Sequence, residues 1–192
     1  SISVSHLVDM IGRGVAPDAV TINSVISSCA TPHELESALF FLSFNVASGN
    51  ASTDSFNITL RMAIHSCDLH VARDLLRDME ELGVAANWST FSTIMAASRI
   101  SKELPQQGGT NLLLDKACQL GARPPHSRLT DIILQTKSLR QASFLLDMAV
   151  RHRLLPASQV VRIAEQLQAS ARMDLAKTGN ITQEVLKELQ NQ

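Results

Sequence analysis

Three side chains that commonly bind metals lie close together in the sequence, at His65, Cys67 and His70. A structural zinc site needs four such ligands, and a catalytic one needs three with water in the fourth position. No fourth ligand lies nearby, and the helical pattern breaks between His65 and His70. We therefore interpret these residues as loop and helix-end residues, and we expect neither a metal nor another cofactor.

Catalytic patterns are also missing from the sequence. The three cysteines, Cys29, Cys67 and Cys118, are an odd number at long, unequal spacings, which excludes a disulfide framework and a C-x-x-C metal knuckle. Cys29 lies on an apolar helix face, and we expect it to be a small buried side chain. A nucleophilic cysteine would need a positioned base, and the sequence indicates none. No glycine-rich phosphate loop, catalytic carboxylate pair or triad pattern is present. The sequence predicts a binding protein and no enzyme.

Positive charge is concentrated in the second half of the chain. Residues 1–96 carry 4 basic and 10 acidic residues, whereas residues 97–192 carry 13 basic and 8 acidic residues. A run of cations could follow a phosphate backbone, although a solvated face is the ordinary interpretation of surface charge. Three of these cations are our candidate phosphate contacts: Arg128, Arg153 and Arg162.

The composition is that of a folded protein without a membrane anchor. The chain has 192 residues, of which 45% are hydrophobic and 18% charged, which is within the range of globular domains. No apolar run approaches the roughly 18 residues of a membrane-spanning helix, so we expect no membrane span. The chain begins at Ser1 without a recognisable signal or transit peptide. We expect that any targeting segment has already been removed.

A short motif recurs along the chain at nearly regular spacing. Residues 14–18 (Gly-Val-Ala-Pro-Asp) resemble residues 83–87 (Gly-Val-Ala-Ala-Asn), and weaker copies begin at Gly49, Gly121 and Arg153. A small or polar residue followed by an apolar pair, such as Ala72 with Leu75 and Leu76, recurs in step with this motif. Such self-similarity indicates a repeat protein with a period of about 35 residues.

Each repeat reads as a pair of helices. The first helix of a pair has apolar residues at the spacing of one helix face, as in residues 22–29, and the second begins at a capping residue such as Asp68 or Ser138. A single pair is too small to bury its apolar face, whereas stacked pairs share a continuous core. We predict an all-α fold, a right-handed α-solenoid of stacked antiparallel helix pairs. The predicted helices lie near residues 4–13, 19–30, 33–48, 54–65, 69–82, 89–100, 110–120, 127–136, 139–152, 158–169 and 181–190.

These helices divide the chain into three predicted regions. Residues 1–18 contain the second helix of a truncated repeat, and residues 19–157 contain four helix-pair repeats. Residues 158–192 form a degenerate C-terminal pair, whose polar face is what a terminal cap of a solenoid needs. Within the repeats, Leu76 and its equivalents Leu42, Leu114 and Leu146 are expected to lie buried between stacked helices.

The repeat resembles that of the pentatricopeptide repeat family. That family has about 35 residues and two helices per repeat, with Thr-Tyr-Asn early in the first helix and Gly-x-x-Pro-Asp after the second. Residues 20–26 (Val-Thr-Ile-Asn-Ser-Val-Ile) match the first signature with Ile in place of Tyr. Residues 7–18 and 76–84 match the second. The resemblance is most specific over residues 7–100.

This resemblance implies a single-stranded RNA-binding protein of a mitochondrion or plastid, acting in RNA processing, stability or translation and reading about one base per repeat. In the family, two polar side chains choose each base: the Asn of the signature and the last residue of the repeat. Carried over, the first pair is Asn23 with Thr53, or with Ser52 given the uneven spacing. The pair Asn57 and Asn87 is a usual family combination and implies a pyrimidine. The remaining candidate positions, whose partners Pro125 and Ala157 offer no side-chain hydrogen bond, are Ser92 and Thr130.

A second function remains open alongside RNA binding. The chain could be a scaffold subunit for protein–protein interaction in a large organellar complex, such as a ribosome or a membrane assembly, that has lost base reading. The near-zero net charge, the short length and the incomplete set of base-reading positions favour this alternative. A small-molecule substrate is not expected in either case.

Overall fold

The structure is a computed structural model, and it describes residues 2–15, 17–29, 34–100, 107–136 and 138–178. Within these ranges the secondary structure consists of ten α-helices and contains no strand. The predicted all-α class is therefore confirmed for this part of the chain. The predicted helix near residues 181–190 lies outside the described residues. The chain divides into two compact units, residues 1–123 and residues 124–192, which we call the N-terminal unit and the C-terminal unit.

Seven helices form the described part of the N-terminal unit. Helices α2, α4 and α6 pack side by side in chain order, and each also contacts the helix that follows it. In addition, α1 contacts α2, α3 contacts α4, and α5 contacts α7. The bounds are α1 Ile2–Gly12, α2 Ala19–Ser28, α3 Leu35–Ala47, α4 Thr53–His65, α5 Leu69–Glu81, α6 Trp88–Ile100 and α7 Gln107–Gln119.

Three helices form the described part of the C-terminal unit: α8 (His126–Gln135), α9 (Leu139–Arg151) and α10 (Ala157–Thr178). Each of the three contacts the other two. Helix α10 is longer than the predicted segment 158–169, and it begins one residue earlier. The apolar pattern fades after residue 169, but the next residues include two alanines, Ala171 and Ala176, and neither glycine nor proline before Gly179. Intrinsic helix propensity therefore extends the helix beyond its apolar face.

Side-chain caps fix where several helices begin. The Asp18 carboxylate accepts a hydrogen bond from the backbone N–H of Thr21 at 2.8 Å, and this bond together with one from the Thr21 hydroxyl lowers the pKa of Asp18. The Asp68 side chain accepts bonds from two backbone N–H groups at the start of α5, and Ser138 accepts one at the start of α9. The caps predicted at Asp68 and Ser138 are confirmed.

The helices α1, α3, α5, α7 and α9, which we call the second helices, all end with the same hydrogen-bond pattern. In each, the N–H of a residue just past the helix donates to the carbonyl of the residue five positions earlier, as Val84 does to Met79 at 2.8 Å. The residue preceding that donor has a positive φ in every case: Gly14, Gly49, Gly83, Gly121 and Arg153. This left-handed closure, the Schellman motif, defines equivalent positions in the five helices. The acceptor residues are Met10, Asn45, Met79, Ala117 and Ala149.

Replacing Gly83 by alanine should lower the free energy of unfolding by about 1–2 kcal/mol. Gly83 has φ +67°, and no atom lies within 4 Å of the position that a Cβ would take, so the cost comes from the left-handed backbone of an L-residue. Gly12→Ala is the matched control, because its surroundings are equally open and its φ is not positive. Urea unfolding that shows equal losses for both variants would contradict this account of the helix end.

The core is built from equivalent apolar positions on neighbouring helices. On the first helices of the pairs, Ile22, Phe56 and Phe91 are almost completely buried. On the second helices, Leu42, Leu76 and Leu114 are buried, and so is Leu146 in the C-terminal unit. The burial that the sequence predicts for Leu76 and its three equivalents is confirmed. Aliphatic and aromatic side chains at one repeating position thus hold successive helices together.

Candidate nucleic-acid interface

Two candidate base-reading residues, Asn57 and Asn87, lie in direct contact. Asn57 is in α4, and Asn87 directly precedes α6, which packs against α4. The Asn57 Nδ2 donates a hydrogen bond to the Asn87 Oδ1 at 3.2 Å. Two residues far apart in the sequence therefore place their side-chain amides at one point, as the carried-over reading pair requires.

Thr90 fixes the orientation of both amides. Its backbone N–H donates to the Asn87 Oδ1 at 3.1 Å, and its hydroxyl accepts a bond from the Asn87 N–H at 3.1 Å. This reciprocal cap of α6 requires an acceptor facing the helix, so it is the Asn87 oxygen that points inward. The Thr90 hydroxyl in turn donates to the Asn57 Oδ1 at 2.7 Å. Sequence reasoning missed Thr90, although an Asn followed three residues later by Thr is a recognisable capping signal.

This network leaves hydrogen-bond donors for a ligand. The Asn87 Oδ1 accepts bonds from the Thr90 N–H and the Asn57 Nδ2, with the Thr90 hydroxyl at 3.3 Å. Within the described residues, the Asn87 Nδ2 and the second Nδ2 hydrogen of Asn57 have no hydrogen-bond partner. Asn87 is exposed, and Asn57 keeps 7% of its surface accessible. The pair can therefore donate to an acceptor such as a base carbonyl or ring nitrogen.

The neighbouring candidate, Asn23, lies in α2 and meets a different partner. Its Oδ1 lies 3.5 Å from the Nδ2 of Asn45 in α3. Ser52 is the N-cap of α4 and forms a capping box with Ser55, so it stands before α4 as Asn87 stands before α6. Thr53 is the first residue of α4, and its hydroxyl donates to the Ala85 carbonyl at 2.8 Å. Of the two alternative partners for Asn23, Ser52 is the one that occupies the equivalent place.

The hydroxyls of Ser92 and Thr130 are both used within their own helices. The Ser92 hydroxyl donates to the Ser89 carbonyl at 3.0 Å, and that of Thr130 donates to the His126 carbonyl at 2.9 Å. Each hydroxyl then has only acceptor capacity for a ligand. Ser92 belongs to the N-terminal unit and Thr130 to the C-terminal unit.

The three candidate phosphate contacts all belong to the C-terminal unit. Arg128 lies in α8, Arg153 follows α9 with φ 52°, and Arg162 lies in α10; all three are exposed. None of them forms an ion pair with a residue that the structure describes, in contrast to Arg151, whose guanidinium lies 2.8 Å from the Asp147 carboxylate. Their positive charge is therefore available to an anionic ligand.

Two of the three cysteines, Cys29 and Cys118, are buried, and Cys67 is exposed. Among the described residues, no group of three or more His, Cys, Asp or Glu side chains is placed to hold a metal ion. His65, Cys67 and His70 are exposed. Burial raises the pKa of the Cys118 thiol to about 11 and also raises that of Cys29. Both buried thiols are therefore protonated near neutral pH, which makes them poor nucleophiles.

None of the helices in the described ranges combines the length and apolar character needed to cross a bilayer.

Comparisons with known proteins leave the family unassigned. No protein-family model matches the chain, and no curated protein is significantly similar to it in sequence. The resemblance to the pentatricopeptide repeat family therefore depends on the sequence motifs quoted above.

Proposed function

We propose that this chain is a non-catalytic binding module of the pentatricopeptide repeat type, a right-handed α-solenoid that binds single-stranded RNA in a mitochondrion or plastid. The side-by-side packing of α2, α4 and α6 supports stacked helix pairs. The common closure of the five second helices also supports a repeat, because its positive-φ residues fall at positions 14, 49, 83, 121 and 153. The chain would act in RNA processing, RNA stability or translation.

The contact between Asn57 and Asn87 is the observation that carries the RNA-binding proposal. The resemblance assigns base selection to these two positions, and their amides hydrogen-bond to each other at 3.2 Å. Since the Thr90 cap turns the Asn87 oxygen inward, the outward groups are N–H donors. Such a pair can donate to acceptors on a base edge, and the preference for a pyrimidine is what the family resemblance implies.

The candidate phosphate contacts lie in the C-terminal unit, which carries more of the positive charge than helices α2, α4 and α6 do. Among the side chains that the structure describes on helices α2, α4 and α6, one is a lysine or arginine: Arg61 in α4. The side chain of Arg99 in α6 is not among those described. A surface with so little positive charge binds the phosphate backbone weakly. Arg128, Arg153 and Arg162 of the C-terminal unit are therefore the proposed phosphate contacts.

Replacing Asn57 by alanine should weaken binding for one base identity more than for the others. The change removes an Nδ2 donor and its hydrogen bond to Asn87, and a lost base-edge contact costs about 1–3 kcal/mol. The measurement is a titration of RNA oligonucleotides that differ only at the nucleotide for which wild-type protein shows a preference.

Asn111→Ala is the control for this substitution. Asn111 lies on α7, a second helix, and has no side-chain hydrogen bond within the described residues. Its loss should leave the base preference unchanged. If Asn57→Ala binds all four bases in the wild-type ratio, base reading by this pair is excluded.

One observation favours the scaffold function as a second candidate. Phe40 in α3 and Leu112 in α7 are 66% and 70% exposed, and each lies five residues before the acceptor of its helix closure. Large apolar side chains that recur at equivalent exposed positions are suited to contact another protein. Replacing both by serine should weaken assembly with a protein partner in an organellar complex and should leave RNA affinity unchanged.

A further inference from the structure

A polar side chain occupies a core position of α3 where the equivalent helices have apolar residues. Asn45 has no exposed surface, and its carbonyl is the acceptor of the helix closure. The equivalent residues in α5, α7 and α9 are Met79, Ala117 and Ala149, all of them completely buried. The packing of the second helices therefore does not require an amide side chain at this position.

The Asn45 amide is only partly satisfied. Its Nδ2 donates to the Ser55 hydroxyl at 2.8 Å and lies 3.5 Å from the Asn23 Oδ1. Its Oδ1 is buried and has no hydrogen-bond partner among the described residues. A buried acceptor without a partner destabilises the folded state. Stability alone would therefore favour an apolar residue at this position.

We propose that Asn45 is a positioning residue that sets the orientation of Asn23 in the base-reading site; this rests on the proposed RNA binding. The Asn45 Nδ2 attracts the Asn23 oxygen inward, which turns the Asn23 Nδ2 away from α3. The Asn23 Nδ2 has no hydrogen-bond partner in the described part of the chain, so it is available to a base.

Asn23 and Asn57 are therefore oriented in the same way by different residues. The Asn57 oxygen accepts a bond from Thr90 at the start of α6. At the corresponding position of α4 stands Ser55, which bonds to Asn45 and to the N-cap Ser52 at 3.1 Å. Through Ser55, Asn45 thus links Asn23 to Ser52, the serine that takes the second reading position of its pair. The role of Asn45 is to occupy the Asn23 oxygen, so that the Asn23 Nδ2 is the group left to donate to a base.

The test compares wild-type protein with Asn45→Leu, in which an apolar side chain of similar branching replaces the amide, and with Asn45→Met, which reproduces the residue at position 79. Both variants should melt at or above the wild-type temperature, because the unpartnered acceptor is gone. Asn23→Ala first identifies the nucleotide that Asn23 reads. At that nucleotide, the preference between bases should fall by roughly 2–3-fold in both Asn45 variants, because a 3.5 Å contact belongs at the weak end of net hydrogen-bond energies.

A second readout does not depend on RNA. The side-chain amide resonances of Asn23, observed by NMR in the free protein, should shift and lose their fixed orientation in Asn45→Leu. Ser43→Ala, on an exposed site of α3, should leave both the base preference and these resonances unchanged.

The outcomes separate the two proposals. If wild-type protein binds no RNA, the proposed function fails and the role of Asn45 in base reading fails with it. If wild-type protein binds RNA with a preference that Asn23→Ala removes and the Asn45 variants retain, only the positioning role is overturned. Unchanged Asn23 resonances in Asn45→Leu, or a lower melting temperature in both variants, would also overturn it.

Discussion

Replacing Leu76 by alanine is expected to lower the free energy of unfolding by roughly 2–5 kcal/mol. Leu76 lies in α5 and has no exposed surface, and α5 contacts both α4 and α7. The substitution removes apolar contacts and leaves a cavity between packed helices that can close only partly. Urea unfolding followed by circular dichroism at 222 nm measures this loss.

Leu82→Ala is the matched control for this substitution. Leu82 follows the last residue of α5, and about half of its side chain is exposed. The same chemical change should therefore cost much less there, because little apolar surface leaves the core. Equal losses at positions 76 and 82 would contradict the assignment of Leu76 to the shared core of the repeats.

Replacing Arg128, Arg153 and Arg162 together by glutamine is expected to weaken RNA binding for every sequence alike. These side chains are exposed and have no ion-pair partner within the described ranges. Each phosphate contact with a single strand contributes about 0.7 to the slope of log affinity against log salt concentration. Loss of three contacts should reduce that slope by about 2, as measured by fluorescence anisotropy over a series of salt concentrations.

A variant of equal net charge provides the control for the arginine substitutions. It carries glutamine at Arg13, Arg73 and Arg77, three exposed arginines of the N-terminal unit. This variant should keep a slope near that of wild-type protein. If both triple variants lose the same slope, binding follows net charge alone, and the assignment of phosphate contacts to the C-terminal unit is wrong.

The sequence predicts the helices well because local signals determine them. Asp68 and Ser138 are caps whose side chains need only the backbone of the next turn. The left-handed residue after each second helix is a glycine in four of five cases, and glycine adopts this conformation without steric cost. The end of α10 was missed because the apolar pattern fades while helix propensity continues.

The polar network at the candidate interface could be predicted only in part. The family resemblance pairs Asn57 with Asn87, and the structure brings the two side chains into contact. Helix-capping rules predict the role of Thr90 from the sequence, because Thr90 lies three residues after the N-cap Asn87. No such rule predicts the role of Asn45, because it lies at an ordinary core position of an apolar helix. Its contact with Asn23 depends on how α2 and α3 pack, and a single sequence does not specify that arrangement.

Titration of a labelled, random-sequence single-stranded RNA pool with wild-type protein at two salt concentrations tests the central claim most directly. RNA binding through exposed arginines and a donor pair predicts saturable binding at low salt that weakens at the higher salt concentration. The bound fraction should be enriched in pyrimidine at the position that Asn57→Ala affects. No binding at low salt would contradict the RNA-binding function and leave the protein scaffold as the remaining candidate.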